Sequence, residues 1–93
     1  MYTEHMETKV ITFGEYATLS ATQQWMTCTQ LASQTKFDRL MVSYYVAMLL
    51  DNELITAHDG DQGTYYQLTD IGWNCLEEYE RHNPALAMKR STR

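Results

Sequence analysis

Side chains that commonly perform catalysis or bind metals are few in this sequence and lie far apart. Its histidines, which show no metal-ligand spacing, are His5, His58 and His82. It contains no Gly-x-Ser-x-Gly motif and no glycine-rich phosphate loop. The segment DGDQG (59–63) lacks the spacing and the closing Glu of a calcium loop. We therefore expect no catalytic residues, no metal site and no cofactor, and hence a protein that is not an enzyme.

The two cysteines, Cys28 and Cys75, are too few and too far apart for a disulfide framework or a zinc knuckle. Small buried hydrophobic side chains are the favoured interpretation of both. A disulfide within or between subunits remains an open alternative at this stage.

The charge balance is acidic. Seven Lys and Arg residues against twelve Asp and Glu residues give a formal net charge of −5. Nucleic-acid affinity depends on basic side chains that neutralise phosphates, so this balance argues against strong non-specific DNA binding but permits a local basic patch. The hydrophobic fraction of 44% over 93 residues predicts one small globular domain.

Membrane insertion and secretion are not expected from the sequence. No apolar run approaches the ~20 residues that cross a bilayer. The polar start MYTEHMETK lacks the basic end and apolar middle of a signal peptide. These features predict a cytoplasmic protein with no membrane association.

Capping signals divide the first half of the chain. After an arm (1–11), TFGE from Thr12 has the capping-box pattern, which predicts a helix to near Trp25. One side of that helix would carry Phe13, Tyr16, Ala17, Ser20 and Ala21. TCTQ from Thr27 repeats the pattern and predicts a short helix from Cys28 to about Gln34. Asp38 is the expected cap of a long helix.

The long helix and the elements after it also have clear signals. Val42, Tyr45, Val46 and Leu49 form one stripe that should face a core. Asn52 is the expected left-handed stop of that helix. LITAH and TYYQL predict two strands joined by DGDQG. Thr69 then caps a last helix with an apolar face of Ile71, Cys75, Leu76 and Tyr79, before Pro84.

Two segments carry a family resemblance. TQLASQTKFDRLMVSYYVAMLLDNELI (29–55) and YYQLTDIGWNCLEEYE (65–80) together resemble the winged helix-turn-helix domain of MarR-, PadR- and ArsR-like regulators. The resemblance implies a mainly α fold with a small β-hairpin (α+β). It also implies a winged-helix domain at 12–83, between the arm (1–11) and a flexible basic tail (84–93). The core would contain Leu31, Val42, Val46, Leu49, Ile55, Tyr66, Leu68 and Leu76, and Gly72 would let the last helix approach the sheet closely.

The resemblance also implies a DNA-binding surface on the long helix. Lys36 and Arg39 would contact phosphates, and the neighbouring face would meet the bases through Leu40, Met41, Ser43, Tyr44 and Met48. The wing would contribute His58, Asp59 and Gln62. Two positions depart from the family pattern. Glu53 stands where Gly is common, and the wing tip carries Asp59 and Asp61 where Arg or Lys is common.

Three interpretations of that face remain open. The arm or first helix could cover it and make it core, it could bind a protein through Met and Tyr side chains, or it could bind DNA. We predict a small, dimeric DNA-binding transcriptional regulator. The alternative is an acidic winged-helix module, of the phage or plasmid type, whose long helix binds a host protein. Aromatic side chains beyond the needs of a small core predict a homodimer interface of Trp73, Tyr79 and Tyr2.

Overall fold

The structure is a computed structural model that describes residues 10–86. The elements of this range are α1 (Phe13–Ala21), α2 (Cys28–Thr35), α3 (Arg39–Asp51), β1 (Ile55–Gly60), β2 (Gly63–Leu68) and α4 (Asp70–Arg81). Their order confirms the predicted mainly α architecture with a small β-hairpin, a winged helix-turn-helix. Tyr2 and most of the predicted arm and tail lie outside the described residues, so the domain boundaries stay predictions.

Side-chain caps start each of the helices α1 to α4. The hydroxyls of Thr12, Thr27 and Thr69 and the carboxylate of Asp38 each accept a hydrogen bond from a first-turn N–H group. Both predicted capping boxes form, because Glu15 and Gln30 accept from the N–H groups of their cap residues. These short-range contacts satisfy N–H groups that would otherwise have no partner within the helix.

The predicted end of α1 near Trp25 is wrong, since the helix ends at Ala21. Thr22 closes it: its hydroxyl donates to the carbonyl oxygen of Leu19 at 2.6 Å, and its N–H group bonds the same carbonyl at 3.0 Å. A side chain that bonds the backbone locally competes with continued helix formation. The residues that follow α1 are thereby free to run toward the hairpin.

One hydrophobic core joins all the helices to the hairpin. Its buried members are Tyr16, Leu19, Leu31, Val42, Val46, Leu49, Leu54, Ile55, Cys75 and Leu76, with Tyr66 and Leu68 packed against it. The predicted stripe of α3 is confirmed, although Tyr45 is only half-buried. Phe13 and Ile71, which lie on the predicted apolar sides of α1 and α4, remain 57% and 50% exposed.

Two non-glycine residues adopt left-handed backbone conformations at the ends of helices. Lys36 has φ 69° in the turn between α2 and α3, and Glu53 has φ 62° after α3. The prediction that Asn52 supplies this conformation is wrong, since its φ is −95°. Instead its side-chain amide donates to the carbonyl of Met48 at 3.0 Å. Glu53 therefore makes the turn at the position where the family commonly has Gly.

The hairpin turns tightly at the wing tip. Six antiparallel residue pairs run from Ile55 with Leu68 to Gly60 with Gly63, so the turn consists of Asp61 and Gln62. This confirms the predicted turn within 59–63. Met26 also pairs with Tyr66 in an isolated β-bridge, through N–H···O bonds of 3.0 and 2.8 Å, which the sequence did not indicate.

Gly72 brings α4 against the chain just before β1. A Cβ atom at this position would lie 2.0 Å from the carbonyl oxygen of Leu54. The predicted close approach of the last helix is confirmed, with the backbone of Leu54 as its contact. This contact fixes the base of the hairpin relative to α4.

Candidate nucleic-acid interface

The outward face of α3 is exposed to solvent along the length of the helix. Leu40, Tyr44, Ala47 and Asp51 repeat at helical spacing along it, and all four are exposed. Leu40 is 83% and Tyr44 60% exposed. The first helix therefore does not cover this face, and the interpretation in which α1 makes it part of the core is wrong.

The predicted residues of this face differ in their solvent exposure. Ser43 and Met41 are exposed and Met48 is half-buried. The ring of Tyr44 lies edge-on to that of Tyr45, with centroids 5.5 Å apart, which orients the phenol. Ala47 and Asp51 were absent from the predicted set, although the helical repeat from Leu40 already points to both.

Strong base-reading groups are absent from this face. Bidentate base contacts normally use Arg, Lys, Asn or Gln, and the exposed positions from Leu40 to Asp51 provide only hydroxyl, thioether, hydrocarbon and carboxylate groups. The nearest amide, on Asn52, is already bonded to the backbone of Met48. The polar groups available to a base are thus the hydroxyls of Ser43 and Tyr44 and the carboxylate of Asp51.

Two cations stand at the N-terminal end of α3. Lys36 and Arg39 are both exposed. The Nη1 group of Arg39 donates a hydrogen bond to Oγ1 of Thr29 on α2, at 3.0 Å. Thr29 therefore positions the guanidinium, a role that the sequence did not indicate because the two residues are ten positions apart and on different helices.

The rest of the described chain is strongly acidic. Residues 10–86 contain three basic side chains, Lys36, Arg39 and Arg81, and ten Asp and Glu side chains. Arg81 forms an ion pair with Glu78 on the same helix. The N-terminal end of α3 is consequently the place where this part of the chain concentrates positive charge.

The wing carries its carboxylates at and beside the tip. Asp59 and Asp61 are exposed, as is Gln62. The Asp59 carboxylate accepts a hydrogen bond from the Thr64 hydroxyl at 3.1 Å. The ring of His58 lies 5.7 Å from that of Trp25, which joins the segment after α1 to the wing. The sequence does not indicate this contact, since its pattern predicts that Trp25 ends α1.

The phenol of Tyr66 is half-buried in β2, close to Cys28 and Asp59. Burial raises the pKa of the Tyr66 phenol above its ordinary value, and the neighbouring Cys28 thiol and the Asp59 carboxylate add to the shift.

Cys28 is half-buried, Cys75 is buried, and both are free thiols, so the structure contains no disulfide between them. In residues 10–86 no three His, Cys, Asp or Glu side chains are placed to share a metal ion.

The residues predicted to form a dimer interface have different surroundings. Trp73 is 36% exposed near the start of α4. Tyr79 is half-buried, and its ring stacks on Tyr16 with centroids 4.6 Å apart. Tyr2 lies outside the described residues.

Within 10–86, no helix has the length and apolar composition needed to cross a membrane.

Comparisons with solved structures show the same fold in bacterial regulators. BpsR of Bordetella bronchiseptica, whose DNA binding is regulated by 6-hydroxynicotinic acid, matches with a TM-score of 0.74 and 17% identity over 85% of this chain. A MarR-family transcription regulator, SP03579, matches with a TM-score of 0.72 and 22% identity over 88% of this chain. This chain spans 59% and 58% of the lengths of those two proteins.

A third match is TubR from the pBtoxis plasmid of Bacillus thuringiensis serovar israelensis, solved bound to 24 bp of tubC. Its TM-score is 0.68, with 18% identity over 75% of this chain and 82% of TubR. No protein-family model and no curated protein matches the sequence. At these identities the matches establish the winged-helix fold.

Proposed function

We propose that this chain is a small DNA-binding transcriptional regulator that inserts α3 into the major groove. The observation that carries the proposal is the position of Lys36 and Arg39. Two of the three basic side chains of residues 10–86 stand together at the N-terminal end of α3, in a strongly acidic chain. Phosphate contacts from such flanking cations orient a recognition helix on the duplex.

In this mechanism the cations and the exposed face have separate tasks. Lys36 and Arg39 neutralise phosphates and release counterions, which supplies most of the affinity. The hydroxyls of Ser43 and Tyr44 reach base edges, and α2 supports α3 through the bond between Thr29 and Arg39. The wing lies beside the groove, where Asp59 and Asp61 weaken the attraction to phosphates and limit binding at random sequences.

A homodimer completes the proposal. Two copies would double the small number of phosphate contacts and place two recognition helices on symmetric half-sites. Trp73 and Ile71, on the exposed first turns of α4, offer apolar surface for a second copy. Tyr2 and Tyr79 stay in the proposed interface, with Tyr79 contributing only the edge that Tyr16 leaves uncovered.

A second candidate function is recognition of a host protein through α3. Specific observations favour it: the exposed face lacks Arg, Lys, Asn and Gln, and Met41 and Tyr44 are side chains suited to protein interfaces. The acidic wing would then face a basic partner. DNA is preferred here because Lys36 and Arg39 flank the face on the helix that winged-helix proteins use for DNA.

A salt-titrated DNA-binding assay distinguishes the two candidates. Fluorescence anisotropy with a labelled mixed-sequence duplex should give binding that weakens steeply with salt, and Arg39→Gln should reduce the salt slope by about 0.9 for one lost phosphate contact. The matched control is Arg81→Gln, which removes an equal charge on α4 and should leave the slope unchanged.

Absence of DNA binding would contradict the regulator proposal. If the protein ignores DNA even at the lowest salt, where phosphate attraction is greatest, the regulator proposal fails. A lysate pull-down then tests the second candidate, which requires a captured protein that is lost with Tyr44→Ala and retained with Ile71→Ala.

A further inference from the structure

The exposed face of α3 is unusual for a DNA reader because it consists mainly of hydrocarbon. Leu40 is 83% exposed and stands one turn before Tyr44, which is 60% exposed. Ala47 continues the same line of exposed residues. Exposed apolar side chains of this size gain free energy when a partner removes them from water.

The major groove contains one apolar group for such a face to meet. Guanine, cytosine and adenine present hydrogen-bond donors and acceptors there, whereas thymine adds a C5-methyl group. Resting on the DNA-binding function proposed above, we infer that α3 reads thymine methyl groups. Leu40, Tyr44 and Ala47 contact them directly, so the preferred sites are rich in A·T pairs.

The dimensions of the helix fit this assignment. The seven-residue span from Leu40 to Ala47 covers about 10 Å along a helix that rises 1.5 Å per residue, close to three base-pair steps. Three side chains on one line can therefore meet methyl groups within a run of about four base pairs. The hydroxyls of Ser43 and Tyr44 accept or donate a hydrogen bond at either base pair, so they orient the helix without selecting G·C pairs.

The charges around the face also favour DNA as its occupant. Lys36 and Arg39 precede Leu40 and complement the phosphates that border the groove, while Asp51 at the opposite end of α3 is repelled by them. This gradient places the N-terminal half of α3, with Leu40 and Tyr44, deepest in the groove.

The test exchanges thymine for uracil, which removes only the methyl group. The probes are a synthetic duplex of alternating A·T pairs, the same duplex with deoxyuridine in place of thymidine, and an alternating G·C duplex with cytosine or 5-methylcytosine. Wild-type protein should lose about threefold to fivefold in affinity for each contacted methyl that is removed. Methylated cytosine should restore part of that affinity.

Variants then separate methyl contacts from any effect of the exchange on DNA shape. Leu40→Ala and Tyr44→Ala should bind thymine and uracil duplexes with more nearly equal affinity. Tyr44→Phe, which keeps the ring, and Phe13→Ala on α1, where the side chain is 57% exposed, should discriminate like wild type. Leu40 and Phe13 are exposed, so replacing either with alanine removes little core packing, and thermal melting verifies that each variant folds.

Each outcome decides the inference. Equal wild-type affinity for thymine and uracil duplexes overturns it while leaving DNA binding intact. Discrimination that persists in Leu40→Ala and Tyr44→Ala also overturns it, because the preference then comes from duplex shape. Absence of binding to every duplex at low salt overturns the DNA-binding function, and the methyl inference falls with it.

Discussion

Arg39 is held to Thr29 across the helix-turn-helix. The guanidinium Nη1 group donates to the threonine Oγ1 atom at 3.0 Å, and both side chains lie on the exposed side of their helices. A planar guanidinium has further donors, so this bond fixes its direction and leaves groups for a phosphate. The contact links the orientation of a cation on α3 to a residue of α2.

Thr29→Val should weaken DNA binding without changing its salt dependence. Valine has nearly the shape of threonine but cannot accept the hydrogen bond, so Arg39 keeps its charge and loses its support. The expected loss is about fivefold, corresponding to about 1 kcal/mol for one hydrogen bond. Anisotropy titrations over a salt series measure both quantities. A reduced slope would mean that the phosphate contact itself is lost, and unchanged affinity would remove Thr29 from the interface.

Lys36→Gly should separate fold stability from DNA binding. Lys36 has φ 69°, a conformation that costs L-residues about 1 kcal/mol and glycine almost nothing. The free energy of unfolding should therefore rise by up to about 1 kcal/mol, while affinity for DNA and the salt slope both fall. Denaturant unfolding and anisotropy provide the two readouts. Equal or tighter DNA binding by this variant would exclude Lys36 as a phosphate contact.

Removing the wing carboxylates should strengthen DNA binding. Asp59→Asn with Asp61→Asn deletes two negative charges, and the new amide at 59 can still accept from Thr64. We expect about twofold to fivefold tighter binding at low salt, with the gain vanishing at high salt as the charges are screened. Asp70→Asn with Glu77→Gln, which removes two exposed carboxylates of α4, is the matched control. A gain equal to that of the control would place the wing away from the phosphates.

Gly72→Ala should destabilise the fold, against the usual direction of this substitution in a helix. Alanine normally stabilises a helical position by about 1 kcal/mol relative to glycine. Here its Cβ would meet the carbonyl oxygen of Leu54 at 2.0 Å, so α4 must shift, at a cost of about 1–3 kcal/mol. Denaturant unfolding measures the sign. Asn74→Ala, two residues later and on the exposed side of α4, should show no loss, and a stabilised Gly72→Ala variant would contradict the close contact.

Trp73→Ala should shift a homodimer toward monomer. Trp73 contributes the largest exposed aromatic surface of α4 in the described residues, and aromatic side chains dominate the energetics of most interfaces. Sedimentation at tens of micromolar, roughly the range in which a useful interface is occupied, measures the change. Leu40→Ala should leave the association state unaltered. Wild-type protein that sediments as a monomer in this range would remove the dimer from the proposal.

Much of the fold follows from contacts between residues close in sequence. Thr12 with Glu15, Thr27 with Gln30, and the Asp38 and Thr69 caps depend on residues within one helical turn, so their pattern is visible in the sequence. The hairpin turn and the buried stripe of α3 are equally local. The winged-helix architecture follows from their order.

Long-range contacts decided the remaining features. α1 stops at Ala21 because Thr22 bonds Leu19 and the chain must reach the pairing of Met26 with Tyr66, forty positions away. Glu53, rather than Asn52, takes the left-handed turn, where its carbonyl accepts a 2.7 Å hydrogen bond from the hydroxyl of Thr69, sixteen positions away. Such choices depend on the free energy of the assembled core, which can outweigh local preference.

The candidate site also has one part that the sequence predicts and another that only the tertiary structure decides. Helical periodicity placed Leu40 and Tyr44 away from the core stripe, since one turn of a helix fixes which side chains share a face. The sequence does not show whether another element covers these side chains. It also does not show that Arg39 donates a hydrogen bond to Thr29. Those answers depend on how α1 and α2 dock against α3, and docking is determined by packing among residues that only the tertiary structure brings together.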